Sequence, residues 1–191
     1  EVWSARIASD GSIEAWEQSS SMPAPLYFHC AAVAGGRVWA WGGLMRKGSG
    51  SNQQVFEAPV LSSGKIGEWK YSTSKLPKPF YNAAVTVSGP YILTFCPRYS
   101  FNDYTSDVWF AQVKNDGTLS DWSLMQTGMN PKLYTGVATD YRREIVYIPG
   151  GRINREESED SLDGRVHFFK LTGGSDNQQQ RSSDYMPASG E

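Results

Sequence analysis

The chain is expected to be all-β, built from short antiparallel strands in a repeated unit. The first observation is recurrence: Val2, Val55 and Val108 stand 53 residues apart, as do Ala5, Ala58 and Ala111, and Trp16, Trp69 and Trp122. The turn pairs Asp10-Gly11, Ser63-Gly64 and Asp116-Gly117 keep the same interval. A constant spacing near 50 residues marks a repeated structural unit. The second observation is the density of strand formers bounded by Gly and Asp-Gly turns, and the third is that no segment sustains apolar residues at i, i+3 and i+4. A fourth copy begins at Val166, five residues beyond the interval, after the acidic run 155–161.

The unit from Ala31 to Trp69 shows the expected elements in order. Ala31-Ala32-Val33-Ala34 is a small apolar run suited to a strand buried on both faces, and Gly35-Gly36 turns it. Arg37-Val38-Trp39-Ala40-Trp41 follows and closes at Gly42-Gly43. After a polar stretch comes a third strand, Val55 to Val60, then a turn at Ser63-Gly64 and a fourth strand, Ile66-Gly67-Glu68-Trp69. The next unit repeats this with Ala83 to Val87, Tyr91 to Phe95, Val108 to Val113 and Leu119 to Trp122. Its third turn, Asn115-Asp116-Gly117, is a hairpin signal because Asp and Gly tolerate positive φ.

Four antiparallel strands in about 50 residues, repeated in tandem, point to the blades of a β-propeller. Val2 aligns with a third strand and Val166 to Leu171 is again a third strand, so the strands divide as two, four, four and three, with unit boundaries near 30, 82 and 135. Propellers close with about four to eight blades. The expected architecture is therefore about three blades, incomplete on its own. The rest would come from a longer polypeptide, the preferred expectation, or from a second copy of the chain. Glu1 is expected to be a processed, cut or engineered start, and residues 172–191 to be a polar, flexible tail.

The double glycine after a strand, Gly42-Gly43 and again Gly150-Gly151, followed by an aliphatic-aromatic strand, Trp69 or Trp122 and a downstream proline, resembles the kelch repeat over residues 2–171. The middle unit has Cys96-Pro97 in place of the glycines, and no arginine precedes the first strands. The Asp-x-Gly-x-Thr-Trp box of sialidase propellers is not matched, since Asp10 is adjacent to Gly11 and Trp16 lies five residues beyond it. The kelch resemblance implies a rigid scaffold that presents loops to a ligand. Some kelch-like propellers are copper oxidases or sugar epimerases, and no Tyr-Cys-His set marks the former here. Repeats of this kind are similar to those of secreted or surface proteins, so an extracellular location is expected, with the cytoplasm as the alternative.

Composition narrows the function classes. The 18 basic and 20 acidic residues are interspersed, giving a formal charge of −2, which builds no field to attract nucleic acid. No apolar run reaches the roughly 18 residues of a membrane-spanning helix. Cys30 and Cys96 lie in apolar strand surroundings and are expected as buried thiols rather than a bridge.

Candidate binding residues are sought on long loops held by the scaffold. The second-to-third loops run from Leu44 to Gln54, Pro97 to Asp107 and Arg152 to Arg165; the fourth-to-first loops run from Glu17 to Phe28, Lys70 to Phe80 and Ser123 to Leu133, and all are expected on one face. The second-to-third loops carry Arg46, Lys47, Arg98, Tyr99, Phe101, Tyr104, Arg152 and Arg155, and arginine and tyrosine are the residues most often found as interface anchors. Tyr27, Tyr81 and Tyr134 recur at the start of each first strand and could ring a central opening. The tryptophan series is expected to be structural.

His29 and His167, at unrelated positions, are expected to be packed strand residues, so no catalytic constellation is nominated. The acidic residues Glu156, Glu157, Glu159, Asp160 and Asp163 lack the order of a calcium loop and are expected to be solvated. The expected function is non-enzymatic binding of a protein or a glycan through the long-loop face, without cofactor. The alternatives are part of a sugar-processing propeller enzyme and a building block of an extracellular assembly.

Overall fold

A computed structural model describes residues 1–45, 50–103, 105–125, 127–153 and 162–170. Among these, every regular element is a β-strand and every pairing is antiparallel, as the turn and strand composition predict. Strands β1 (Val2–Ser4) and β2 (Glu17–Ser19) form a two-stranded sheet. Next come β4 (Cys30–Ala34), β5 (Arg37–Trp41), β7 (Gln54–Pro59) and β8 (Lys70–Lys75), then β9 (Ala84–Ser88), β10 (Tyr91–Phe95), β11 (Val108–Gln112) and β12 (Ser123–Met125), each set a sheet in that order. A third set is β13 (Ala138–Asp140), β14 (Ile145–Pro149) and β15 (Val166–Lys170), and a short ladder joins β3 (Leu26–Tyr27) to β6 (Leu44–Met45).

Local turn chemistry explains the hairpins. Gly35 and Gly36 both take positive φ, 58° and 70°, as a two-residue type I′ turn requires, and Ala34 pairs with Arg37 across it. In the third sheet the corresponding turn has four residues, 141–144, with Asp140 Oδ1 accepting from the amides of Arg142 and Arg143 at 3.0 and 3.1 Å. The two extra residues shift the register of everything before them. On the far side, Asp10 Oδ1 accepts from the amide and hydroxyl of Ser12, and Asp116 Oδ1 does the same with Thr118.

The fourth strands lie after the tryptophans, not before them. Ile13, Ile66 and Leu119 make single bridges to Ile7, Val60 and Val113, and regular pairing resumes only at β2, β8 and β12. The fourth-to-first loops are correspondingly shorter than the expected spans from Glu17, Lys70 and Ser123. Strand β8 was illegible because its inward positions are small and polar: Ser72 and Ser74 are buried, and Ser74 Oγ donates to the Ser120 carbonyl at 2.9 Å. Strand β4 is also corrected, since it is buried on one face only: Cys30 and Ala34 are buried while Val33 is 60% exposed.

Each sheet packs on its neighbour in chain order. Trp39, Trp41 and Val55 of the β4–β8 sheet meet Ile92, Ala111 and Trp122 of the next. Trp41 Nε1 donates to Thr94 Oγ1 at 3.1 Å, and its ring lies 5.5 Å from that of Trp122. Leu93, Phe95 and Val108 pack on Val146, Ile148 and Phe169, while Ala40, Phe56, Ala58 and Trp69 gather Val2, Met22 and Ala24. A buried indole removes roughly 150–250 Å² from water, or about 4–6 kcal/mol at ~25 cal/mol per Å². These contacts therefore dominate the cohesion between sheets. The first strands β4, β9 and β13 run side by side, with Cys30 Sγ 3.9 Å from the Ala83 carbonyl and the Thr86 and Thr139 hydroxyls 2.6 Å apart.

Candidate functional site

At one end of the sheets, the segment entering each first strand pairs with the segment leaving the second. Tyr27 pairs with Leu44, Tyr81 with Arg98 and Leu133 with Arg152. Leu133, not Tyr134, is thus the counterpart of Tyr27 and Tyr81. Tyr134 stands one place later, in the left-handed conformation (φ 54°) that Phe28 (55°) and Asn82 (53°) also adopt. The three tyrosines expected to be equivalent are therefore not so in register, and Tyr134 is 65% exposed at the turn.

Aromatic side chains run continuously across two of these pairings. The Tyr27 and Phe28 rings are 5.3 Å apart, and Phe28 lies 6.5 Å from Tyr81. The Arg98 guanidinium sits 5.5 Å from the Tyr81 ring centre and 5.2 Å from that of Phe101, and its Nη2 donates to the Phe101 carbonyl. Arg98 itself is buried, at 6% exposure, whereas Phe28 and Phe101 are 57% and 74% exposed. The cation holds the platform together and the rings face solvent. Such stacking is worth about 0.5–2 kcal/mol per contact.

Tyr99 turns the other way. Its hydroxyl donates to Asp107 Oδ2 at 2.5 Å and accepts from Trp109 Nε1 at 2.7 Å, while Lys78 Nζ stands 3.5 Å from its ring centre. Burial first, then the Asp107 carboxylate, push its ionisation well above the ordinary tyrosine range. It is the internal brace of its loop. Arg152 is half-buried and bridges both Leu133 and Leu162. Arg46, Lys47, Tyr104, Arg155, Glu156, Glu157, Glu159 and Asp160 lie outside the described residues.

Asp163, expected among solvated acids, is buried in a cluster the sequence reading missed. Lys132 Nζ, with no exposed side-chain surface, lies 2.5 Å from Asp163 Oδ2 and donates to the Gly150 carbonyl at 3.1 Å. Arg165 Nε donates to Asp163 Oδ1 at 2.8 Å, and His167 Nε2 is 3.5 Å from Oδ2. Burial raises the carboxyl's pKa, but the bonds from Arg165 and Lys132 outweigh it and hold Asp163 well below the usual carboxylate range. The same corner of the β4–β8 sheet uses an amide: Asn52 Nδ2 donates to the Gly42 carbonyl at 3.3 Å, and the Asn52 amide bonds Gly43 as that of Asp163 bonds Gly151. The cluster therefore closes a loop. The available signal was Lys132 standing where the preceding unit has the buried Phe80.

Of the histidines, His167 is a buried strand residue, while His29 is exposed and precedes β4, contrary to expectation; a Cβ at Gly43 would stand 2.8 Å from that of His29. Cys30 and Cys96 are buried free thiols, both raised to about 12 mainly by burial. Among the described residues, no helix is long and apolar enough to cross a membrane. No family model matches the chain, and no curated protein compared with it matches either.

Proposed function

We propose that this chain is a kelch-like β-propeller segment that binds a glycan or a protein on the rim where its long loops meet. Tandem four-stranded meanders with side-by-side first strands support the propeller reading. The observation that carries the binding function is the exposed aromatic run Tyr27, Phe28 and Phe101, anchored through Tyr81 and the buried Arg98. Rigid aromatics next to an arginine are the groups that dominate recognition surfaces, and their fixed rings lose little entropy on binding. A location outside the cell belongs to the same reading.

The test is to probe the chain and a Phe28→Ala, Phe101→Ala double variant against arrayed oligosaccharides and arrayed extracellular proteins. Binding by the unaltered chain that falls about tenfold or more in the variant supports the proposal. Equal binding by the two, or none by either, overturns it.

A further inference from the structure

Three times within this chain a sheet lays the same face against the sheet before it. Phe56, Ala58 and Trp69 pack towards Val2 and Met22, Ala111 and Trp122 towards Trp41, and Ile148 and Phe169 towards Phe95. The tryptophans are consequently covered, Trp69 at 8% exposure and Trp122 at 5%, and Trp69 Nε1 reaches the Ser20 carbonyl at 3.1 Å. In the first sheet the corresponding residues are Trp3, Ala5 and Trp16. Trp3 is 51% exposed and Trp16 62%, and Ile13, counterpart of the 3% exposed Leu119, is 62% exposed. Large apolar side chains left exposed at positions that the later sheets cover mark an interaction site.

The complementary surface is on the same chain. In the sheet β9–β12, Tyr91, Leu93 and Phe110 face the following sheet; their counterparts in β14 and β15 are Ile145, Tyr147 and Phe168. The Tyr147 and Phe168 rings pair at 6.4 Å, and exposed Pro149 occupies the place held by Trp41 and Phe95 elsewhere.

We propose that a second copy of this chain docks head to tail, its β13–β15 face covering Trp3, Ile13 and Trp16. Each copy would repeat between molecules a contact that it already makes three times internally. The association is heterologous, one face against a different one. It does not depend on the ligand assigned to the loop rim.

Sedimentation velocity of the full chain over roughly a hundredfold concentration range around the micromolar scale tests this. The mass is expected to rise with concentration, and Trp16→Glu and Phe168→Glu are each expected to weaken association at least about tenfold. An equimolar mixture of the two variants restores a heterodimer, because each keeps the face the other has lost. Pro149→Glu replaces Phe168→Glu if circular dichroism shows the latter unfolded. A monomeric native chain at all concentrations overturns the proposal and assigns the tryptophan face to another polypeptide. Self-association that survives in Phe168→Glu and Pro149→Glu, or a mixture that stays monomeric, also overturns it.

Discussion

At the residue scale, the most consequential pair is Lys132 and Asp163, because a buried ion pair is expensive to break and inexpensive to replace. Lys132→Met leaves a carboxylate under the Gly150 corner with part of its compensation gone, and is expected to cost about 3–5 kcal/mol in urea unfolding. Adding Asp163→Asn should recover part of that loss. Because the folded pKa of Asp163 lies below its usual 3.8, its contribution is whole above that value and is lost as pH falls through the acid range. The thiols act at the other end. Cys30 and Cys96 rise from 9.0 to about 12 on burial, so the stability they contribute is complete below pH 9 and drains away between pH 9 and 12. Native protein at neutral pH should leave both unreacted with a thiol reagent, and urea should release two equivalents. That these cysteines are buried thiols was legible in their apolar strand surroundings. The role of Asp163 was not, because its partner Lys132 is 31 residues away and only the closed loop brings them together.

At the scale of elements, the glycine pairs matter through backbone geometry. Gly42 holds φ 64°, and a Cβ there would stand 2.8 Å from the Phe80 carbonyl. Left-handed strain of about 1–2 kcal/mol adds to that overlap, so Gly42→Ala is expected to cost about 2 kcal/mol or more, read as a lower urea midpoint. Cys96 occupies the corresponding turn in the next sheet at φ 52° without glycine. There Cys96→Gly relieves strain of about 1–2 kcal/mol but uncovers a buried side chain worth a similar amount, and should change stability little. The hairpins themselves were readable from Gly35-Gly36 and Asp116-Gly117, since a turn is decided by its own two or three residues. Strand β8 was not, since Lys70-Tyr71-Ser72-Thr73-Ser74-Lys75 alternates without an apolar face, and only packing in the folded chain, which buries Ser72 and Ser74 and bonds Ser74 to Ser120, decides which side is inward.

At the scale of the whole molecule, equivalent residues differ in worth according to what lies beside them. Trp69→Ala and Trp122→Ala each open a cavity between sheets and are expected to cost about 3–5 kcal/mol. Trp16→Ala, at the same place in the repeat but 62% exposed, should stay within about 0.5 kcal/mol when measured at concentrations too low for association. Equal losses at all three positions would contradict the stacking of sheets described above. The sequence by itself determined the repeat of 53 residues, the antiparallel strands and the turns between them, because strand alternation and positive-φ positions are local properties of a few neighbouring side chains. Tertiary structure alone decided which tryptophan is buried, which tyrosine stands on the rim and which lysine neutralises an aspartate. Those outcomes depend on the sheet packed alongside, and that sheet comes from a stretch of chain tens of residues away, beyond the reach of any local signal.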